Sequence, residues 1–101
     1  MKKFKSKCGY VVYKATLTEC VKITDGYGTC DNCNKNDLIL YVIPVLNSAY
    51  CERCFKKWNE DSILNREDLE FENSYIKIFE KRAKEKGVEL EIVTWKIGTE
   101  T

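Results

Sequence analysis

The 101-residue chain has no histidine. That absence removes every His-based triad, every His-ligated metal site and every His general base at once. A net field of one sign is missing as well: 17 Lys and Arg stand against 16 Asp and Glu, a formal +1. Bulk charge therefore gives no argument for nucleic acid. Long apolar runs are also lacking. The longest, Leu38 to Leu46, contains Pro44 and is too short to span a bilayer. Lys2, Lys3, Lys5 and Lys7 are not followed by an apolar h-region, so no secretory signal is visible and a cytoplasmic protein is expected. Neither a repeat nor a low-complexity linker interrupts the chain. With 44% hydrophobic residues, residues 1–101 read as a single globular domain.

The charge that is present is unevenly spread. Residues 1–29 carry six lysines against Glu19 and Asp25, residues 30–54 are nearly balanced, and residues 55–101 hold more acids than bases. Basic character is confined to the N-terminal end, and residues 1–9 are expected to be a flexible basic terminus.

Hydrophobic periodicity sets out the elements. Val11, Tyr13, Ala15, Leu17, Glu19, Val21 and Ile23 occupy alternate positions, apolar but for one polar break at Glu19, which predicts one long half-buried strand, or two meeting near Thr18. Asp25-Gly26-Tyr27-Gly28 is a loop. Leu38–Val42 and Val45–Tyr50 form a hairpin, with Pro44 and Asn47-Ser48 as turn residues. A short helix spans Phe55 to Trp58, and residues 59–65 are loop-like. Asn65 caps a helix over 66–86 whose first turn holds Glu67 and Asp68. Leu69, Ile76, Phe79 and Ala83 share one face of that helix, widened by Tyr75 and Ile78, and the many carboxylates of residues 60–91 read as its solvated side. Gly87 is the C′ residue. A final strand alternates from Val88 towards Ile97. The fold class is α+β: a small metal-stabilised domain with antiparallel strands and one long C-terminal helix followed by a strand.

Six cysteines without an export signal point to metal chemistry. Cys30-Asp31-Asn32-Cys33 and Cys51-Glu52-Arg53-Cys54 are two C-x2-C pairs separated by seventeen residues. This spacing suits a structural zinc site, because Zn2+ takes four thiolates at about 2.3 Å in a closed tetrahedron. Asn34 tolerates the left-handed conformation that such a turn requires. The second pair opens a helix, whose dipole favours thiolate. Two disulfides would need export, a thioredoxin-like motif uses one C-x-x-C, and iron–sulfur spacings are tighter. Cys30, Cys33, Cys51 and Cys54 are therefore the expected ligands of one Zn2+. Four thiolates with one Zn2+ move the net charge to about −1.

A knuckle, a hairpin and a second pair opening a helix resemble a treble-clef zinc finger. Over residues 30–58 the C-x2-C, seventeen residues, C-x2-C spacing is similar to that of the GATA-type finger, with Tyr50 as the aromatic before the third ligand. The resemblance implies a zinc-finger module at 30–58 with those four cysteines as ligands. GATA-type fingers read DNA with a basic helix and tail. Here Lys56 and Lys57 are followed by Asn59-Glu60-Asp61 and by Glu67-Asp68-Leu69-Glu70-Phe71-Glu72, and such acids are repelled by phosphate.

Cys8 and Cys20 are left to be free thiols, to pair with each other, or to hold a second metal with outside ligands. The aromatics Tyr10, Tyr13, Tyr27, Tyr41, Tyr50, Tyr75, Trp58 and Trp95 either stack bases or build the core, and a domain this small needs them in its core. No nucleophile–base pair is evident, so catalytic and cofactor-binding residues are expected to be none. The expected function is a non-enzymatic, zinc-bound protein-interaction module with a protein partner and no membrane. The Lys-, Glu- and Ile-rich composition fits a small adaptor or inhibitor of phage or mobile-element origin. The alternative is a nucleic-acid-binding zinc finger using Lys2, Lys3, Lys5, Lys7, Lys56 and Lys57.

Overall fold

The computed structural model describes residues 1–24 and 28–93. Its elements are β1 (Lys2–Lys5), β2 (Val11–Thr16), α1 (Leu17–Thr24), β3 (Ile39–Ile43), β4 (Ser48–Cys51), α2 (Glu52–Asp61), α3 (Arg66–Glu85) and β5 (Glu91–Ile92). They make a mixed α+β fold around a five-stranded sheet of order β4-β3-β2-β1-β5. β1–β2, β2–β3 and β3–β4 are antiparallel, and only β5 lies parallel to its neighbour.

Both faces of the sheet are covered. On one face Val11, Tyr13, Ala15, Leu40 and Val42 pack against Cys20 and Ile23 of α1 and against Phe79 and Ala83 of α3. On the other, Val12, Tyr41 and Ile43 pack against Phe55 of α2, with Phe4, Tyr50 and Trp58 around it. The strand parity that alternates these sets is the period of two built into any β-strand. Because β2 and β3 are central and sandwiched, they read as almost continuous apolar runs. No helix among the described residues is long and apolar enough to cross a membrane.

The stretch expected as one long strand divides into β2 and α1. The division follows from a capping box at Thr16-Leu17-Thr18-Glu19. The Glu19 amide donates to Thr16 Oγ1 (3.2 Å) and the Thr16 amide donates to Glu19 Oε1 (2.9 Å). These reciprocal bonds satisfy donors that a new helix would otherwise leave open. Leu17, Cys20 and Ile23 then face the sheet at helical spacing.

Lys2, Lys3 and Lys5, expected in a flexible segment over residues 1–9, lie in β1. It returns into β2 through a tight loop in which Gly9 has φ +113°, and the Ser6 amide donates to the Tyr10 carbonyl at 2.7 Å.

The expected hairpin forms, but its second strand, expected over Val45–Tyr50, begins only at Ser48, because Pro44 opens a short 3-10 turn that ends at Asn47 in the left-handed conformation. α2 is longer than the short helix expected at 55–58, so the loop before α3 shrinks to residues 62–65. α3 has the expected cap: Asn65 Oδ1 accepts from the Glu67 amide at 3.1 Å. At its other end Val88 N–H donates to the Ala83 carbonyl and Gly87 N–H to the Lys84 carbonyl, with Gly87 at φ +74°. That is a Schellman ending, and buried Val88 packs back on the same core as Ala83. The expected loop at 25–28 and the expected strand end near Ile97 fall largely outside the described residues.

The faces of α3 differ from expectation. Phe79 and Ala83 are buried and Ile76 is half-buried, but Leu69, Tyr75 and Ile78 are exposed. Carboxylates take the inward places instead. Glu72 is buried and its Oε2 accepts the Val11 amide at 3.0 Å. Asp68 accepts from the Tyr10 hydroxyl, and Glu80 accepts from both Tyr13 Oη and Lys3 Nζ. The acids of residues 66–85 are thus not all a solvated side; three of them tie α3 to the sheet.

Candidate metal centre

The first cysteine pair sits on a knuckle that leads towards β3. Thr29 and Asn36 form an isolated antiparallel bridge. Inside it the Cys30 amide donates to the Lys35 carbonyl and the Asn34 amide donates to the Cys30 carbonyl. Asn34 has φ +61°, the left-handed turn residue the spacing called for. The knuckle is held to β4 by Asp31. Its amide donates to the Ala49 carbonyl at 2.7 Å and its carboxylate accepts the Ala49 amide at 2.6 Å.

The second pair is delivered by the hairpin. Cys51 is the last residue of β4, opposite Leu40, and also the N-cap of α2. Cys54 lies in the first turn of α2. α2 is oriented by Phe55, which stacks on Tyr41 with centroids 4.2 Å apart and planes 4° from parallel. One short sequence stretch therefore fixes a thiol at the end of a strand, another at the start of a helix, and an aromatic anchor beside them.

All four Sγ atoms lie within 4.8 Å of one another. A tetrahedron with metal–sulfur bonds of about 2.3 Å has sulfur–sulfur edges of about 3.8 Å. Cys33 Sγ and Cys51 Sγ are 3.8 Å apart, and none of the four is in a disulfide. Cys30 and Cys51 are buried, while Cys33 and Cys54 are half-buried. The donor set, its separation and its partial burial fit a metal ion.

The electrostatics of the cluster differ from thiol to thiol. Burial would push the Cys30 thiol up, but backbone N–H groups of Cys33, Cys51 and Asn32 donate to it and bring it down to about 6. At Cys54 the Asn32 side-chain amide donates to Sγ at 3.4 Å and favours the thiolate. The crowding of Cys51, Cys30 and Cys33 and partial desolvation outweigh it, and the Cys54 thiol is pushed up to about 11. Four anionic sulfurs so close repel one another unless a cation lies between them. A divalent ion removes that penalty, and its binding releases the remaining protons.

Of the sequence-predicted residues, Cys30, Cys33, Cys51 and Cys54 come together. Cys8 and Cys20 do not join them, nor each other. Cys8 packs with the α2 face of the sheet, within 3.5 Å of Ser6 Oγ and 3.4 Å of Ser62 Oγ. Cys20 is buried in α1 on the opposite face, where burial pushes its thiol up. Sequence reasoning passed over Asp31 and Asn32 as spacers; they are the clamp to β4 and a hydrogen-bond donor to Cys54. The short polar side chains inside C-D-N-C were the available signal. Comparison of the chain with protein-family models, with curated proteins and with solved structures finds no match.

Proposed function

We propose that this protein is a non-enzymatic interaction module whose fold is closed by one structural Zn2+ on Cys30, Cys33, Cys51 and Cys54. The observation that carries the reading is the convergence of four thiols within 4.8 Å. An all-cysteine set of four leaves no coordination position for substrate, which is the signature of a structural site rather than a catalytic one. Knuckle, hairpin and helix N-terminus contribute to the cluster in that order, which supports the treble-clef reading of residues 30–58. When bound, the ion would supply a cross-link between the knuckle and the β4–α2 junction.

A protein partner is favoured over nucleic acid by the state of the aromatic groups, although most lysines of the nucleic-acid alternative are open. Among the described residues only Lys3 of those six is in an ion pair, with Glu80 at 2.6 Å, and Lys2, Lys5, Lys7, Lys56 and Lys57 are exposed. Tyr10, Tyr13 and Tyr41 are buried, while Tyr50 and Trp58 stack on each other. Few of these rings have a free face for a base. Phe71, Tyr75 and Ile78 of α3, by contrast, are open to solvent, as a protein-facing surface requires.

The reading is tested by a mobility shift with random-sequence duplex and single-stranded DNA over a salt series. Absence of binding at low salt supports a protein-facing module. Salt-sensitive binding with a steep slope establishes the nucleic-acid alternative instead.

A further inference from the structure

Inward carboxylates on α3 leave an apolar stripe on its flank. Phe71, Tyr75 and Ile78 are 57%, 46% and 56% exposed, and their spacing of four and three residues keeps them on one side of the helix. The stripe extends one turn each way to Glu67 and Arg82. Beside it lies a cavity of about 500 Å³ between α3, the end of α1 and the hairpin turn, bordered by Ile23, Pro44, Ala49, Tyr75, Ile78 and Arg82. Among the described residues no ion pair holds Glu67 or Arg82.

The stripe is self-complementary about its midpoint between Ser74 and Tyr75. Phe71 and Ile78 lie equally far from that point on opposite sides, and so do Glu67 and Arg82. A second α3 laid antiparallel sets each Phe71 against an Ile78 and brings the two Tyr75 side by side. Each Glu67 then meets an Arg82, twice by symmetry. An isologous contact requires this matching of a surface to its own reverse, and seams of this spacing pack as antiparallel helix pairs. An unrelated partner gives no reason for opposite charges to stand at equal distances from the centre.

We propose that the occupant of this face is a second copy of the same chain, held through an antiparallel α3–α3 contact. The proposal rests on reading α3 as an interaction face, and it does not depend on the metal.

Sedimentation equilibrium of the full zinc-loaded chain tests it, with zinc content measured on the same samples. The expected mass is twice that of the chain at micromolar concentration. Ile78→Glu and Phe71→Glu should each give a monomer with an unchanged circular dichroism spectrum, since both side chains are more than half exposed. Glu67→Arg and Arg82→Glu should each weaken the dimer about tenfold by placing like charges together twice. The double variant should restore it. A wild-type monomer, a dimer indifferent to Ile78→Glu and Phe71→Glu, or a double variant no better than the singles overturns the proposal. A zinc-loaded monomer sinks the dimer alone and leaves the proposed function with a different partner. A dimer without zinc sinks the metal reading alone.

Discussion

The two faces of the sheet are covered by helices secured in different ways. α3, twenty residues long, is closed at one end by the Asn65 cap and at the other by the Gly87 turn. It is tied to the strands by Glu72, Asp68 and Glu80 as well as by Phe79 and Ala83. α2 has ten residues and no side-chain cap; its N-cap position is Cys51. Its anchors are the Phe55–Tyr41 stack and two thiols of the metal centre. The long helix carries its own terminal hydrogen bonds and inward polar ties, while the short one is held by aromatic contacts of Phe55 and Trp58 and would gain a further tie from an ion at its first turn. Short helices are marginal on their own, so a cross-link is effective where propensity is least.

The largest expected effect breaks the weaker side. Cys51→Ser removes one ligand, the N-cap thiol and a core contact together. Apparent zinc binding in finger peptides amounts to about 10–16 kcal/mol, as large as the whole stability of many domains. Zinc should be lost and the thermal midpoint should fall steeply. Hydrogen exchange should quicken first in the knuckle and α2 while β2 and α3 stay protected longest. Equal loss of protection in α3 and α2 would show that the two sides are one cooperative unit.

Phe79→Ala attacks the other side. Phe79 lies against Tyr13 with centroids 4.6 Å apart, and truncation of a buried Phe costs about 3–5 kcal/mol. Denaturant unfolding should report that loss with the zinc content intact, because none of the four clustered cysteines belongs to the core in which Phe79 packs. Release of zinc from this variant would erase the distinction between the faces.

A smaller effect depends on pH. Burial pushes the Glu80 carboxyl up, but hydrogen bonds from Lys3 and Tyr13 outweigh it and hold it below the usual carboxylate range. A lowered folded-state pKa contributes stability that is fully present above the unfolded value of about 4.3 and is lost as pH falls through the folded value. Glu80→Gln should therefore lower stability at neutral pH and flatten the acid limb of the stability curve below the unfolded-state pKa of about 4.3. An acid limb of unchanged slope would mean that Glu80 does not hold α3.

The smallest effects belong to the two remaining thiols. Cys20→Ser places a hydroxyl in the core beneath α1 and should cost about 1–3 kcal/mol. Cys8→Ser, at a half-buried site beside Ser6 and Ser62, should change stability by less than about 0.5 kcal/mol. Neither should alter the metal content. Loss of zinc from either variant would contradict the ligand set.

The site was more legible than the fold around it, for physical reasons. Metal ligation imposes spacing directly on the chain, so the two C-x2-C pairs and Asn34 could be read without any tertiary context. The hairpin, the Asn65 cap and the Gly87 ending were also local signals, and the structure has each in place. α1 was missed because the alternation of β2 runs on into it by coincidence; Thr16 and Glu19, three apart, were the overlooked cue. β1 was missed because Lys2, Lys3 and Lys5 have little intrinsic β preference and pair only when β2 and β5 are present. The faces of α3 were misread because Glu72 and Glu80 are charged residues with specific inward donors. No periodicity analysis of the helix alone can supply donors that lie on β1 and β2.

The central claim is that four thiols converge on one structural ion. X-ray absorption at the zinc edge, with elemental analysis of the full chain purified without added metal, tests it most directly. The account predicts one zinc per chain and four sulfur neighbours at about 2.3 Å, with no nitrogen or oxygen scatterer in the first shell. Absence of metal, iron in place of zinc, or a shell containing an oxygen would contradict it.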